Sequence, residues 1–326
     1  MQDSAQAHVH RTAFISNSDC GRHDTGWGHP EHVGRLRAVT RALRDDIELY
    51  ETVEHVEGRH ATPGELELVH DPAYVSLIQR TAMMGGARLD NDTVTSEGSW
   101  DAGTAGAGSA VDAVEMSLDG RATRSFVAVR PPGHHAVRDR AMGFCLFGNV
   151  ALAAMHARRT LGAERVLIAD WDVHHGNGTQ ALVEHDRGVH FVSMHQWPFY
   201  PGTGAARDRG PHDTVWNVPL PPGLPRERYV MEFEQSFDKA IDGFAPDVII
   251  LSAGFDSLAE DPIGGFTLEL DDVDRLTRFV TARANALCGG RVVSVLEGGY
   301  NPERLAAAVV THVRALADLP AVTPRG

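Results

Sequence analysis

Asp172-Val173-His174 places a carboxylate and an imidazole two residues apart, just beyond the short apolar run Val166–Ala169. On an extended segment, residues two apart point the same way, so both can grip one cation. Asp256, in Gly254-Phe255-Asp256 beyond the apolar run Val248–Leu251, can supply a third ligand. One histidine and two carboxylates make an N/O donor set that leaves positions open for water and substrate, as a catalytic zinc requires. The same donors suit Fe(II), Co or Mn. Each residue alone has an ordinary use: Asp172 and Asp256 as helix caps, His174 as a core histidine. The three together, with the tandem pairs His134-His135 and His174-His175, favour metal chemistry.

These residues must be brought together by the elements between them. Apolar runs at 126–129, 166–169, 190–192, 248–251 and 292–296 read as buried strands. Helical stretches are expected near 147–161, 177–185, 226–243 and 268–288. Earlier in the chain, helices are expected over 29–46, from the capping box Thr62-Pro63-Gly64-Glu65, and over the Ala/Gly-rich segment 103–118. Gly103–Gly108 follows no clear strand, so it reads as a small-residue helix start and not as a phosphate loop. Alternating strands and helices imply a parallel sheet covered on both faces. Each of the five strands runs into a polar or Gly-rich motif: RPPGHH, DWDVHHG, SMHQ, SAGFD and EGGY. Ligands bind beyond the carboxyl ends of such strands, so the five motifs should converge on one rim.

With 42% hydrophobic and 23% charged residues, the 326-residue chain can bury a large core, and no linker divides it. We expect one catalytic domain over 1–326. Lys+Arg of 30 against Asp+Glu of 44 leaves a formal charge of −14. That argues against a nucleic-acid binder, which would need a basic footprint, and is compatible with a cationic substrate. The three cysteines form no C-x-x-C pair, which argues against a disulfide framework. No signal-peptide core or membrane-length apolar run is present, and a cytoplasmic protein is expected. His8, His10, His23, His55, His60, His185, His190 and His212 lack a constellation and read as surface or core residues.

RPPGHH (130–135), GFC (143–145), DWDVHHGNGT (170–179), YPGTG (200–204), NVPL (217–220), AGFD (253–256) and EGGY (297–300) together resemble the histone deacetylase family, most closely its class II and bacterial members. The resemblance runs in order from about residue 27 to 305. It implies an arginase-deacetylase fold: a three-layer α/β/α domain with a mainly parallel eight-stranded sheet. It also implies one zinc ion held by Asp172, His174 and Asp256. His134 and His135 would sit beside the attacking water, oriented by Asp170 and Asn177 respectively, and Tyr300 would face the substrate carbonyl. Gly143, Phe144 and Tyr200 would line a narrow channel, Asp92 would grip the substrate backbone and Ile263 would stand at the mouth. A structural K+ ion is implied near Asp170, Asp172, His174, Ser193 and Met194. Asn177 stands where class I members carry Asp and class II members commonly carry Asn. Two-metal relatives with this fold use Asp-x-His-x-Asp; here Gly176 takes the last position, which favours a single catalytic metal.

The expected reaction is hydrolysis of the acyl-amide of acetyl-lysine, or of a related small acetylated amine, to acetate and free amine. His135, close to the attacking water, is the expected general base; neutral Asn177 can fix its ring but cannot stabilise an imidazolium as a carboxylate would, while His134, paired with Asp170, is more easily kept protonated. A dedicated acetylpolyamine amidohydrolase is the nearest alternative, although Ile263 stands where such enzymes can carry Glu. A non-catalytic acyl-lysine binding protein is the alternative from another class.

Overall fold

The computed structural model describes residues 10–321; His8 lies outside them. In chain order the elements are β1 (Thr12–Ser16), α1 (Gly34–Asp45), α2 (Ile47–Thr52), β2 (Glu54–Glu57), α3 (Pro63–Leu66), α4 (Pro72–Met83), β3 (Gly86–Arg88), β4 (Val94–Ser96) and α5 (Ser99–Asp119). There follow β5 (Arg124–Ala128), α6 (Asn149–Arg159), β6 (Val166–Asp170), α7 (Asn177–Val183), β7 (Val189–Gln196) and β8 (Val215–Leu220). The chain continues with α8 (Arg226–Ile241), β9 (Val248–Ala253), α9 (Leu270–Cys288), β10 (Val292–Leu296) and α10 (Pro302–Leu316).

Eight strands form one sheet in the order β2-β1-β5-β10-β9-β6-β7-β8. Every neighbouring pair is parallel. β3 and β4 form a separate antiparallel hairpin. The continuous apolar strands are explained by burial on both faces. Ile15, Val127, Ile168, Ile250 and Val293 pack on one side with α5 and α6. Their chain neighbours Phe14, Phe126, Leu167, Ile249 and Val292 pack on the other with α1, α8, α9 and α10.

Three local expectations change. The first helix starts at Gly34 and not at 29. The Glu31 carbonyl accepts from the Thr25 hydroxyl and Arg130 Nη2, which holds the preceding segment in an irregular path. SMHQ lies inside β7, because β8 pairs with that strand as far as Gln196. Gly103–Gly108 is mid-helix in α5. A Cβ on Gly108 would fall 2.2 Å from the Arg59 carbonyl oxygen, so the glycine permits close backbone approach.

Candidate metal centre and acyl-amide site

β6 ends at Asp170, so Asp172 and His174 lie beyond it in a turn and not on the strand. Side-chain capture by the backbone brings them together: the His174 N–H donates to Asp172 Oδ1 at 2.9 Å. His174 Nδ1 lies 2.9 Å from Asp172 Oδ1 and 3.3 Å from Asp256 Oδ2. The three donor groups lie within 4.8 Å of one another. Both carboxylates are fully buried. The Val173 N–H donates to Asp256 Oδ1 at 2.8 Å and the Gly298 N–H to Asp172 Oδ2 at 2.9 Å. Asp256 Oδ2 is buried without a hydrogen-bond partner.

Two buried carboxylates with one imidazole between them call for a cation. Burial and then the charge of Asp172 push the Asp256 carboxyl up to about 7, as expected for anions sharing a space. A Cβ on Gly298 would lie 2.1 Å from Asp256 Oδ2 and 2.5 Å from Asp172 Oδ2; the glycine keeps that space open. The donor set and its unpaired oxygen therefore fit one divalent ion. A side chain at Gly176 would begin 2.2 Å from Asp170 Oδ2, leaving no room for a second-metal carboxylate.

The loop after β5 carries His134 and His135, whose rings stack obliquely at 4.0 Å. His134 Nδ1 lies 3.0 Å from Asp170 Oδ2, and His135 Nδ1 lies 2.7 Å from Asn177 Oδ1. Burial opposes charge on His134, but Asp172 and Asp170 outweigh it and hold its pKa well above the usual value. Burial, followed by the fields of His134 and His174, drives His135 well below. The neighbours therefore favour opposite charge states. Tyr300 packs edge-on to Phe144 at 5.7 Å, and its N–H donates to Asp261 Oδ2 at 2.7 Å. Burial raises its phenol well above the ordinary range.

Tyr200 stands 5.1 Å from the His135 ring and 6.1 Å from His174. Phe144 adopts φ +67° after Gly143 at +55°, and a Cβ on Gly143 would collide with the His135 ring. The Phe144 N–H donates to Thr93 Oγ1 at 3.0 Å, whose hydroxyl donates to Asp92 Oδ1 at 2.8 Å. Asp92 thus joins the same wall. The Ile263 N–H donates to Asp261 Oδ1 at 3.0 Å, on the loop that also holds Tyr300. Ser193 pairs with Asp170 in the β6–β7 register, and Met194 follows it, fully buried. The second tandem pair splits. His175 turns to Thr203 and Gln180 and packs on His195, away from the carboxylates.

Several neighbours escaped the sequence reading. Glu297 Oε2 accepts from the N–H groups of Gly133 (2.6 Å) and His134 (3.1 Å), fixing the histidine loop. Its signal, an acid directly after an apolar strand, was visible in EGGY. Arg35 is buried, donates to the carbonyls of Gly299 and Glu297, and covers the Tyr300 ring at 4.9 Å. Phe199 stacks on His174 at 5.2 Å. Neither had a local signal.

The family profile described as "Histone deacetylase domain" matches residues 29–316. A "Histone deacetylase-like amidohydrolase" of Pseudomonas aeruginosa is 36% identical over 311 residues, covering 89% of this chain and 82% of the relative. The human "Polyamine deacetylase HDAC10" is 35% identical over 95% of this chain, which spans 48% of that protein. The crystal structure of the HDA15 HD domain superposes with a TM-score of 0.90 at 34% identity, covering 97% of this chain and 91% of that one. With the eight-stranded parallel sheet and the clustered motifs, these matches establish that the chain belongs to the histone deacetylase family.

Proposed function

We propose that residues 1–326 form one zinc-dependent deacetylase domain that hydrolyses the acyl-amide of acetyl-lysine, or of a related acetylated amine, to acetate and free amine. The observation that carries this reading is the buried cluster of Asp172, His174 and Asp256 beside two histidines of opposite charge preference. Asp172 Oδ1, His174 Nδ1 and Asp256 Oδ2 would hold the ion. A zinc ion bound there polarises an amide carbonyl and acidifies water.

His135, neutral and held by Asn177, takes the proton of the attacking water at Nε2 and returns it to the leaving amine. His134, held charged by Asp170, acts through its field. Tyr300 donates its hydroxyl proton in a hydrogen bond to the oxygen on which negative charge develops. Gly143, Phe144 and Tyr200 wall the channel, Asp92 holds the substrate backbone and Ile263 borders the mouth. Asp170, Asp172, His174, Ser193 and Met194 would house a structural K+. We place the enzyme in the cytoplasm; no helix among the described residues is long and apolar enough to cross a membrane.

An acetylpolyamine amidohydrolase is the second reading, supported by the similarity to the human polyamine deacetylase. Acetate release from an acetyl-lysine peptide, a longer acyl-lysine peptide and acetylputrescine separates the two. Preference for the acetyl-lysine peptide is expected; binding to all three without acetate release would refute the enzymatic reading.

A further inference from the structure

Trp27 is fully exposed. Tryptophan is large and highly buried on average, and an indole presented wholly to solvent offers its face to a cation. Its position is informative. Gly26 and Gly28 flank it with φ of +88° and +78°, and a Cβ on either would meet nothing within 4 Å. The loop around it is nevertheless anchored. His29, two residues on, packs edge-on against the Phe144 ring at 4.7 Å, and its Nε2 lies 3.2 Å from the Asp92 carbonyl oxygen. On the other side, the Asp24 N–H donates to Ser96 Oγ at 2.9 Å. Two residues span at most ~7 Å, so the indole is tethered beside the wall that carries Phe144 and Asp92.

The same rim is acidic. Asp24, Asp90 and Asp92 form no ion pair with any basic side chain among the described residues. Arg88 Nη1 is tied to the Asn91 carbonyl at 2.6 Å, and Arg140 acts on Tyr200 less strongly than Asp92 and Asp90 do. An indole face beside unpaired carboxylates attracts a cation by ring quadrupole and by charge together.

We propose that Trp27 is a specificity-determining residue that receives, against its indole face, a cationic group carried by the substrate outside the channel. The inference rests on the deacetylase reading above. The cation could be a flanking Arg or Lys of an acetyl-lysine peptide, or the far ammonium of an acetylated polyamine.

The test compares kcat/KM of the metal-loaded full-length enzyme for two acetyl-lysine peptides differing only in a neighbouring Arg or citrulline, with acetylspermidine as a third arm. The wild type should prefer the Arg peptide by roughly threefold to thirtyfold, the range of a single cation–π contact. Trp27→Ala should bring that ratio close to one, chiefly through KM, and Trp27→Phe should restore part of it. A drop on acetylspermidine alone would assign the cation to a polyamine. If Trp27→Ala leaves both the wild-type peptide ratio and acetylspermidine turnover unmoved, the inference fails and the deacetylase reading stands. If no substrate is hydrolysed, both fail.

Discussion

His134 and His135 are chain neighbours with ring centroids 4.0 Å apart, yet their second nitrogens meet a carboxylate in one case and an amide in the other. That difference divides their proposed labour, and it is why Asn177 matters despite carrying no charge. Tyr300 supplies a donor that strengthens as negative charge develops, so Tyr300→Phe should lower kcat by ~10²–10³. Unaltered circular dichroism and metal content would separate that loss from misfolding. Gly298 makes a complementary point. Its missing side chain keeps space open between Asp172 Oδ2 and Asp256 Oδ2. Gly298→Ala should therefore abolish stoichiometric metal uptake, read by elemental analysis, with the secondary structure intact. The residue types at the centre were legible in the sequence because metal chemistry needs particular donors after particular strands. Arg35 was not: its partners Glu297 and Gly299 lie 262 and 264 positions away, and no local pattern encodes such a meeting.

At the scale of elements, a buried ionic knot locks the segment before α1 to the sheet. Glu31, Arg35 and Arg130 are all fully buried. Arg130 Nε and Nη2 donate to the Glu31 carboxylate at 2.8 and 2.6 Å, and Arg35 Nη1 donates at 3.0 Å. Burial resists ionisation of Glu31, but Arg130 and then Arg35 outweigh it and hold the carboxyl at about 2, below its ordinary 4.5. A depressed carboxyl stabilises the fold above its unfolded value and loses that contribution as pH falls from 4.5 towards 2. Glu31→Gln leaves two arginines short of a counter-charge and should cost ~3–5 kcal/mol at neutral pH. Urea titrations at several pH values check this: the gap between wild type and variant should shrink on acidification through that window. This knot also explains why the helix expected from 29 begins at Gly34. The five central strands were legible because burial on both faces gives each a short continuous apolar run. The exposed edge strand β2, Glu54–Glu57, reads EHVE, and the half-buried edge strand β8 contains Asn217 and Pro219; neither has that composition.

Over the whole molecule, the sequence showed how the layers alternate and that the motifs share a rim, because crossover handedness and strand polarity leave few alternatives. It did not show the strand order or the separate β3–β4 hairpin, which depend on contacts between distant segments. The three cysteines are free and buried. Burial raises the thiols of Cys20 and Cys288 to about 11 and that of Cys145 well above its usual range. A thiol reagent should accordingly label none in the native protein and all three after denaturation; fast native labelling would contradict the packing. The central claim is that Asp172, His174 and Asp256 hold one divalent ion on which amide hydrolysis depends. Its most direct test is zinc titration of chelator-stripped protein with acetate release as the readout. Activity should be absent at the start and reach a plateau at one equivalent per chain. Full activity without metal, or a plateau only at two equivalents, would contradict it.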